Sequence, residues 1–64
     1  MIKKRIKNGE LIDYEFVNDY NNIGACLLLY FNSPPFIRPV RPHKYSEYFD
    51  ILADWDNKHS KRNH

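Results

Sequence analysis

Apolar residues fall at even numbers over the first part of the chain: Ile2, Ile6, Ile12, Tyr14 and Phe16, with Asn8-Gly9 between the two runs. Alternation of this kind predicts strands with one buried face. Asn-Gly between two such runs predicts a hairpin. Parity then selects the loop. A two-residue loop would place Ile2 and Ile6 on the face opposite Ile12 and Tyr14. A three-residue loop, Lys7-Asn8-Gly9, brings every even apolar side chain to one face, pairs Lys4 with Ile12 and Ile2 with Tyr14, and leaves Gly9 left-handed in a bulge. The odd face then sets Lys3 opposite Asp13 and Met1 opposite Glu15.

The pattern changes after the turn-rich segment Asn18-Asp-Tyr-Asn-Asn22. Residues 23–31 read IGACLLLYF, apolar at both parities. A run of this length predicts a strand covered on both faces. A short buried helix is the other reading, since Ala25 and the leucines favour helix. Tyr30, Phe31 and the breakers Asn32-Ser33-Pro34 favour the strand. All four prolines then lie between Pro34 and Pro42. Proline fixes φ, removes a donor and holds the preceding residue extended. Residues 33–42 therefore read as a stiff, extended connector with few backbone hydrogen bonds of its own.

Beyond the connector, Tyr45, Tyr48, Phe49, Leu52 and Trp55 recur at helical spacing, with Ile51 widening the stripe. The spacing predicts a helix from Lys44 to Lys58. His43 or Ser46 is the expected cap, Glu47 and Asp50 suit the positive end of its dipole, and Lys58 and His59 the other end. Residues 59–64 read as a polar frayed tail. The predicted fold is α+β, a single domain over residues 1–58. A hairpin and a third strand make a small antiparallel sheet, a Pro-rich crossover follows, and one C-terminal amphipathic helix packs on the sheet. Leu28, Tyr30, Tyr48, Leu52 and Trp55 are its expected core.

Size qualifies this picture. A chain of 64 residues buries only about 60% of its unfolded surface, and domains so small usually need a disulfide, a metal or a partner. Cys26 is the single cysteine, which excludes an internal disulfide and suits a reducing compartment. His43, His59, His64 and Cys26 show no metal-ligand spacing. Dense packing of the aromatic residues, 16% of the chain, and assembly into a homodimer or with an obligate partner remain. Met1-Ile-Lys-Lys-Arg leads into no long apolar segment, and the run from Ile23 to Phe31 is too short to span a bilayer. The expected location is the cytoplasm, with no membrane association. Asn, Ile, Lys and Tyr are frequent, and their codons are AT-rich. Small, AT-biased, aromatic-rich frames are common in bacteriophages and mobile elements.

No catalytic constellation is legible. There is no nucleophile–base pair, and Gly9 and Gly24, the only glycines, form no phosphate cradle. Neither an enzyme nor a cofactor is expected. Two binding readings compete. In the first, the chain is a non-catalytic protein-interaction module, an inhibitor or modulator of a host protein. Its contacts are then Phe36, Arg38, Val40 and Arg41 of the connector, with Trp55 as a hot spot. The connector's Pro39-Val-Arg-Pro42-His-Lys44 has the shape of a polyproline ligand, although ordered connectors often carry prolines. In the second, Lys3, Arg5 and Lys7 line one face of the β-ribbon and, with Arg38 and Arg41, contact nucleic acid. A net charge of only +2 and acids placed across the ladder weigh against that. Glu47, Asp50 and Asp54 form an acidic line on the helix, which reads as its solvated back.

Overall fold

The computed structural model describes residues 1–59. Its elements in chain order are α1 (Ile2–Lys7), β1 (Leu11–Val17), β2 (Cys26–Phe31), β3 (Ile37–Val40), a 3-10 helix (Pro42–Glu47) and α2 (Phe49–His59). The strands form one antiparallel meander in the order β1-β2-β3. The fold is α+β with a three-stranded sheet and a C-terminal helix, as expected. The composition of the sheet is not.

The N-terminal segment is helical, so the Lys7-Asn8-Gly9 hairpin and its pairs, Ile2 with Tyr14 and Lys3 with Asp13, do not form. Asp13 instead lies opposite Tyr30, and Tyr14 opposite Leu29. Ile2 and Ile6 stand four residues apart, a spacing that satisfies a strand face and a helix face equally. Asn8-Gly9 is likewise used differently. Asn8 caps α1, Gly9 takes φ +86°, the Gly9 N–H donates to Ile6 O (3.1 Å), and the Glu10 N–H donates to Arg5 O (3.0 Å). This is the paired-bond helix stop known as the Schellman motif, which needs the same left-handed glycine a hairpin would. Lys4, Arg5 and Lys7 sit in the last turn, where they complement the helix dipole.

The second strand partner of β2 comes from downstream. Ile37–Val40 of the Pro-rich connector pairs with β2, Leu29 opposite Arg38 and Leu28 opposite Pro39. The connector is extended, as its prolines dictate, but residues 37–40 are an edge strand of the sheet and not a crossover. The tight turn before it contains a cis Pro34–Pro35 bond, and Phe31 N donates across it to Phe36 O (2.7 Å). The β1–β2 loop closes through Asn21 and Asn22 at positive φ and through Asp19, whose carboxylate accepts the Gly24 N–H (3.1 Å).

The predicted helix from Lys44 is divided. Residues 42–47 are 3-10, with Pro42 at its first turn after an extended Arg41. Neither His43 nor Ser46 supplies a capping hydrogen bond. Regular α-helix begins at Phe49 and runs through His59, the first residue of the expected tail; residues 60–64 lie outside the described residues.

The core lies on one face of the sheet. Leu11, Leu27, Leu29, Phe31 and Val40 meet Ile6 of α1, then Tyr48 and Leu52, with Ile51 and Trp55 packed at the margin. Leu28, Tyr48 and Leu52 are buried as expected, whereas Tyr30 and Trp55 are half-buried. All three helical segments contribute to this face. Strand β2 is buried at both parities, as its composition predicts, Cys26 and Leu28 on one side and Leu27, Leu29 and Phe31 on the other, although helices layer only the second side.

Candidate functional site: the open face of the sheet

In paired antiparallel strands, directly opposite residues share a face. The core face takes Leu27, Leu29 and Phe31 of β2. The other face takes Cys26, Leu28 and Tyr30, flanked by Val17, Glu15 and Asp13 of β1 and by Pro39 and Ile37 of β3. Among the described residues no helix packs on this second face. At its centre Leu28 is buried by its neighbours, while Ile37 is 42% exposed and Pro39 is exposed. The result is an apolar strip bordered by acids on β1. The Tyr30 hydroxyl donates to the Glu15 carboxylate, and this bond holds the phenol above its ordinary pKa, with burial and the Glu15 charge adding to the effect. The bond ties the Tyr30 side chain to β1 on this face.

The free edges of the sheet are poorly suited to adding a strand. Phe31 N–H bonds Phe36 O, so alternation turns the amide positions of Ile37 and Pro39 away from β2. Pro39 occupies one of them and has no donor to offer. On β1 the register breaks between Leu11 and Asp13, Asp13 Oδ1 accepts the Tyr14 N–H (2.8 Å), and Leu11 O accepts the Trp55 indole N–H (3.3 Å). A bulge, a proline and edge groups already bonded blunt both edges. What stays available is the face.

The residues singled out from sequence do not converge on one place. Phe36, 56% exposed, ends the β2–β3 turn; Arg38 is half-buried opposite Leu29; Val40 is inside the core. Arg41 donates to Ile23 O in the β1–β2 loop (3.1 Å). Trp55 lies on α2, edge-on to Tyr14 and stacked on His59 (centroids 4.2 Å).

The basic set is dispersed as well, because the ribbon meant to align it is a helix. Lys3 lies 3.6 Å from Glu47 and over the Tyr48 ring. Arg5 turns inward. Its Nε meets Glu10 Oε1 (3.0 Å), Nη1 donates to Pro35 O (3.1 Å), Nη2 donates to Ser33 O (2.7 Å), and the guanidinium lies 4.1 Å above the Phe31 ring. It ties α1 to the β2–β3 turn and is structural. Lys7 lines a groove between α1 and α2.

Sequence reasoning missed the strip of Leu28, Ile37 and Pro39. The signal was available in the odd parity of Ile37 and Pro39, but reading it required knowing that the connector is a strand. Among the described residues, no three His, Cys, Asp or Glu side chains gather as a metal site, and no helix is long and apolar enough to cross a membrane. Comparison with protein-family models, curated proteins and solved structures finds no match.

Proposed function

We propose that this chain is a non-catalytic protein-interaction module that docks a partner protein on the open face of its sheet. The observation that carries the reading is the apolar strip of Tyr30, Ile37 and Pro39 around the buried Leu28, left without a helix on a sheet whose edges are blunted. Contiguous exposed apolar surface with a polar border is characteristic of protein contact sites. The border is acidic, Asp13 and Glu15, so the partner surface is apolar with basic residues at one side. A role as inhibitor or modulator of a host protein fits a chain this small, in which contact surface is most of what it offers. The nucleic-acid reading has less to rest on, since Lys3, Arg5 and Lys7 do not line one ribbon face.

The test is capture from nuclease-treated extract of the producing or host cell. The native chain retains a specific partner, Ile37→Asp loses it while keeping a native circular dichroism spectrum, and Lys3→Gln with Lys7→Gln keeps it. Retention that depends on nucleic acid, or that survives Ile37→Asp, sinks the reading. Self-association at micromolar concentration that Ile37→Asp abolishes would instead make the occupant of the face a second copy of the chain.

A further inference from the structure

The helical side of the molecule holds a second, separate feature. Between the end of α1 and the last turns of α2 runs a groove of about 350 Å³, at the small end of the range of about 300–1,000 Å³ typical of ligand pockets. Its apolar lining is Ile6, Ile51 and Trp55. Lys7 lines it from α1 and Lys58 with His59 from α2, with Asp54 the one acid among them. Among the described residues neither lysine takes part in an ion pair.

From this arrangement the geometry points to a docking site for an acidic peptide segment of a partner, with one or two aliphatic side chains in the groove and flanking carboxylates on Lys7 and Lys58. Three observations select this occupant. Charge complementarity comes first: two lysines, one from each helix, line an apolar groove, with Asp54 opposing only in part.

Second, no buried side-chain nitrogen or oxygen among the described residues lacks a hydrogen-bond partner. A small-molecule site relies on a few fixed polar groups awaiting the ligand. Here the polar elements are mobile lysine charges at the rim, which suit carboxylates on a flexible chain. Third, one face of the aromatic ring in the groove is already stacked, on His59. His59 lies parallel to Trp55 (interplanar 18°), His59 Nδ1 is 2.8 Å from Trp55 O, and Tyr14 meets the indole edge-on at 5.7 Å. A nucleobase would need a free ring face for stacking, whereas an aliphatic side chain needs only the apolar lining.

The groove lies on the side of the sheet opposite the Ile37 strip, so this inference stands apart from the function proposed above. Trp55 is the only tryptophan, and its emission reports the groove directly. The probe is an acetylated hexapeptide with two central leucines flanked by glutamates. The expected result is a saturable change in Trp55 emission, with amide shifts at Lys7, Ile51 and Lys58. Binding should weaken about tenfold or more in Lys7→Glu/Lys58→Glu and with glutamines in place of the glutamates, and weaken as salt rises. Ile37→Asp should bind the peptide unchanged. Circular dichroism confirms that the charge-reversed chain is folded; Lys7→Gln/Lys58→Gln, with an intermediate loss, serves if it is not. No saturation up to millimolar peptide, equal affinity in the charge variants, or a hexanucleotide producing the Trp55 change in the peptide's place overturns the proposal.

Discussion

Replacing Arg5 tests the fold at the point where sequence and structure diverge most. A cation on a solvated ribbon could be removed at little cost, since exposed substitutions usually fall within about 0.5 kcal/mol. In the structure its side chain is 17% exposed and makes an ion pair with Glu10, hydrogen bonds to two backbone carbonyls, and a stacked contact over Phe31. At this partial burial the ion pair contributes about 1 kcal/mol and each charged hydrogen bond about 1 kcal/mol. The guanidinium over the ring adds about 0.5–1 kcal/mol. Fixing the arginine rotamers costs about 2 kcal/mol. The net loss for Arg5→Ala is therefore about 2 kcal/mol. A domain of this length has a total stability of about 3–10 kcal/mol. The corresponding drop in melting temperature is about 8–16 °C. Urea unfolding followed by Trp55 emission measures the loss. Arg5→Lys should recover only part of it, because an ammonium cannot bond Glu10, Ser33 and Pro35 together. Lys4→Ala, exposed on the same helix, should be near neutral. Arg5→Ala within about 0.5 kcal/mol of the native chain would refute the clamp and return Arg5 to the solvated surface.

Two further outcomes follow from particular geometries. A Cβ at Gly9 meets nothing within 4 Å, so its replacement costs conformation alone: Gly9→Ala should lose about 1 kcal/mol in urea unfolding and Gly9→Val more, with Gly9→Asn retaining most of the stability. Equal stability of all three would remove the left-handed helix stop. Tyr14 is raised from 10.0 to about 12, first by burial, then by the 2.7 Å hydrogen bond it donates to Asp56, with the charges of Asp56 and Asp13 adding to it. The folded state holds this proton more tightly than the unfolded chain, so its stabilisation is full below pH 10 and fades as pH rises through 12. Native and Tyr14→Phe chains should therefore differ most in urea midpoint at neutral pH and converge in strong alkali. A gap constant with pH would contradict the assignment.

Several features follow from the sequence alone because their causes are local. A continuous apolar run ending in Tyr30-Phe31, with breakers on each side, makes a strand within Ile23–Phe31. Asparagines 21 and 22 tolerate the left-handed backbone their loop requires. Prolines hold the connector extended, and the helical stripe around Leu52 forms α2. Each signal depends on residues close in the chain.

Where local signals were compatible with two structures, tertiary contacts decided. Ile2 and Ile6 fit either period, and Asn8-Gly9 serves a hairpin turn or a helix stop. A helix of six residues has no independent stability. Packing of Ile6 into the core and the reach of Arg5 to residues 33 and 35 tip that segment to helix. With α1 unavailable to the sheet, β2 pairs on one side with β1 and on the other with Ile37–Val40, and the connector becomes an edge strand. That same choice places every helix on one face and leaves Ile37 and Pro39 exposed beside the buried Leu28 on the other. The candidate interaction face was thus beyond the reach of the sequence. Its residues belong to two strands, and only the pairing register, fixed by the core on the opposite face, brings them side by side.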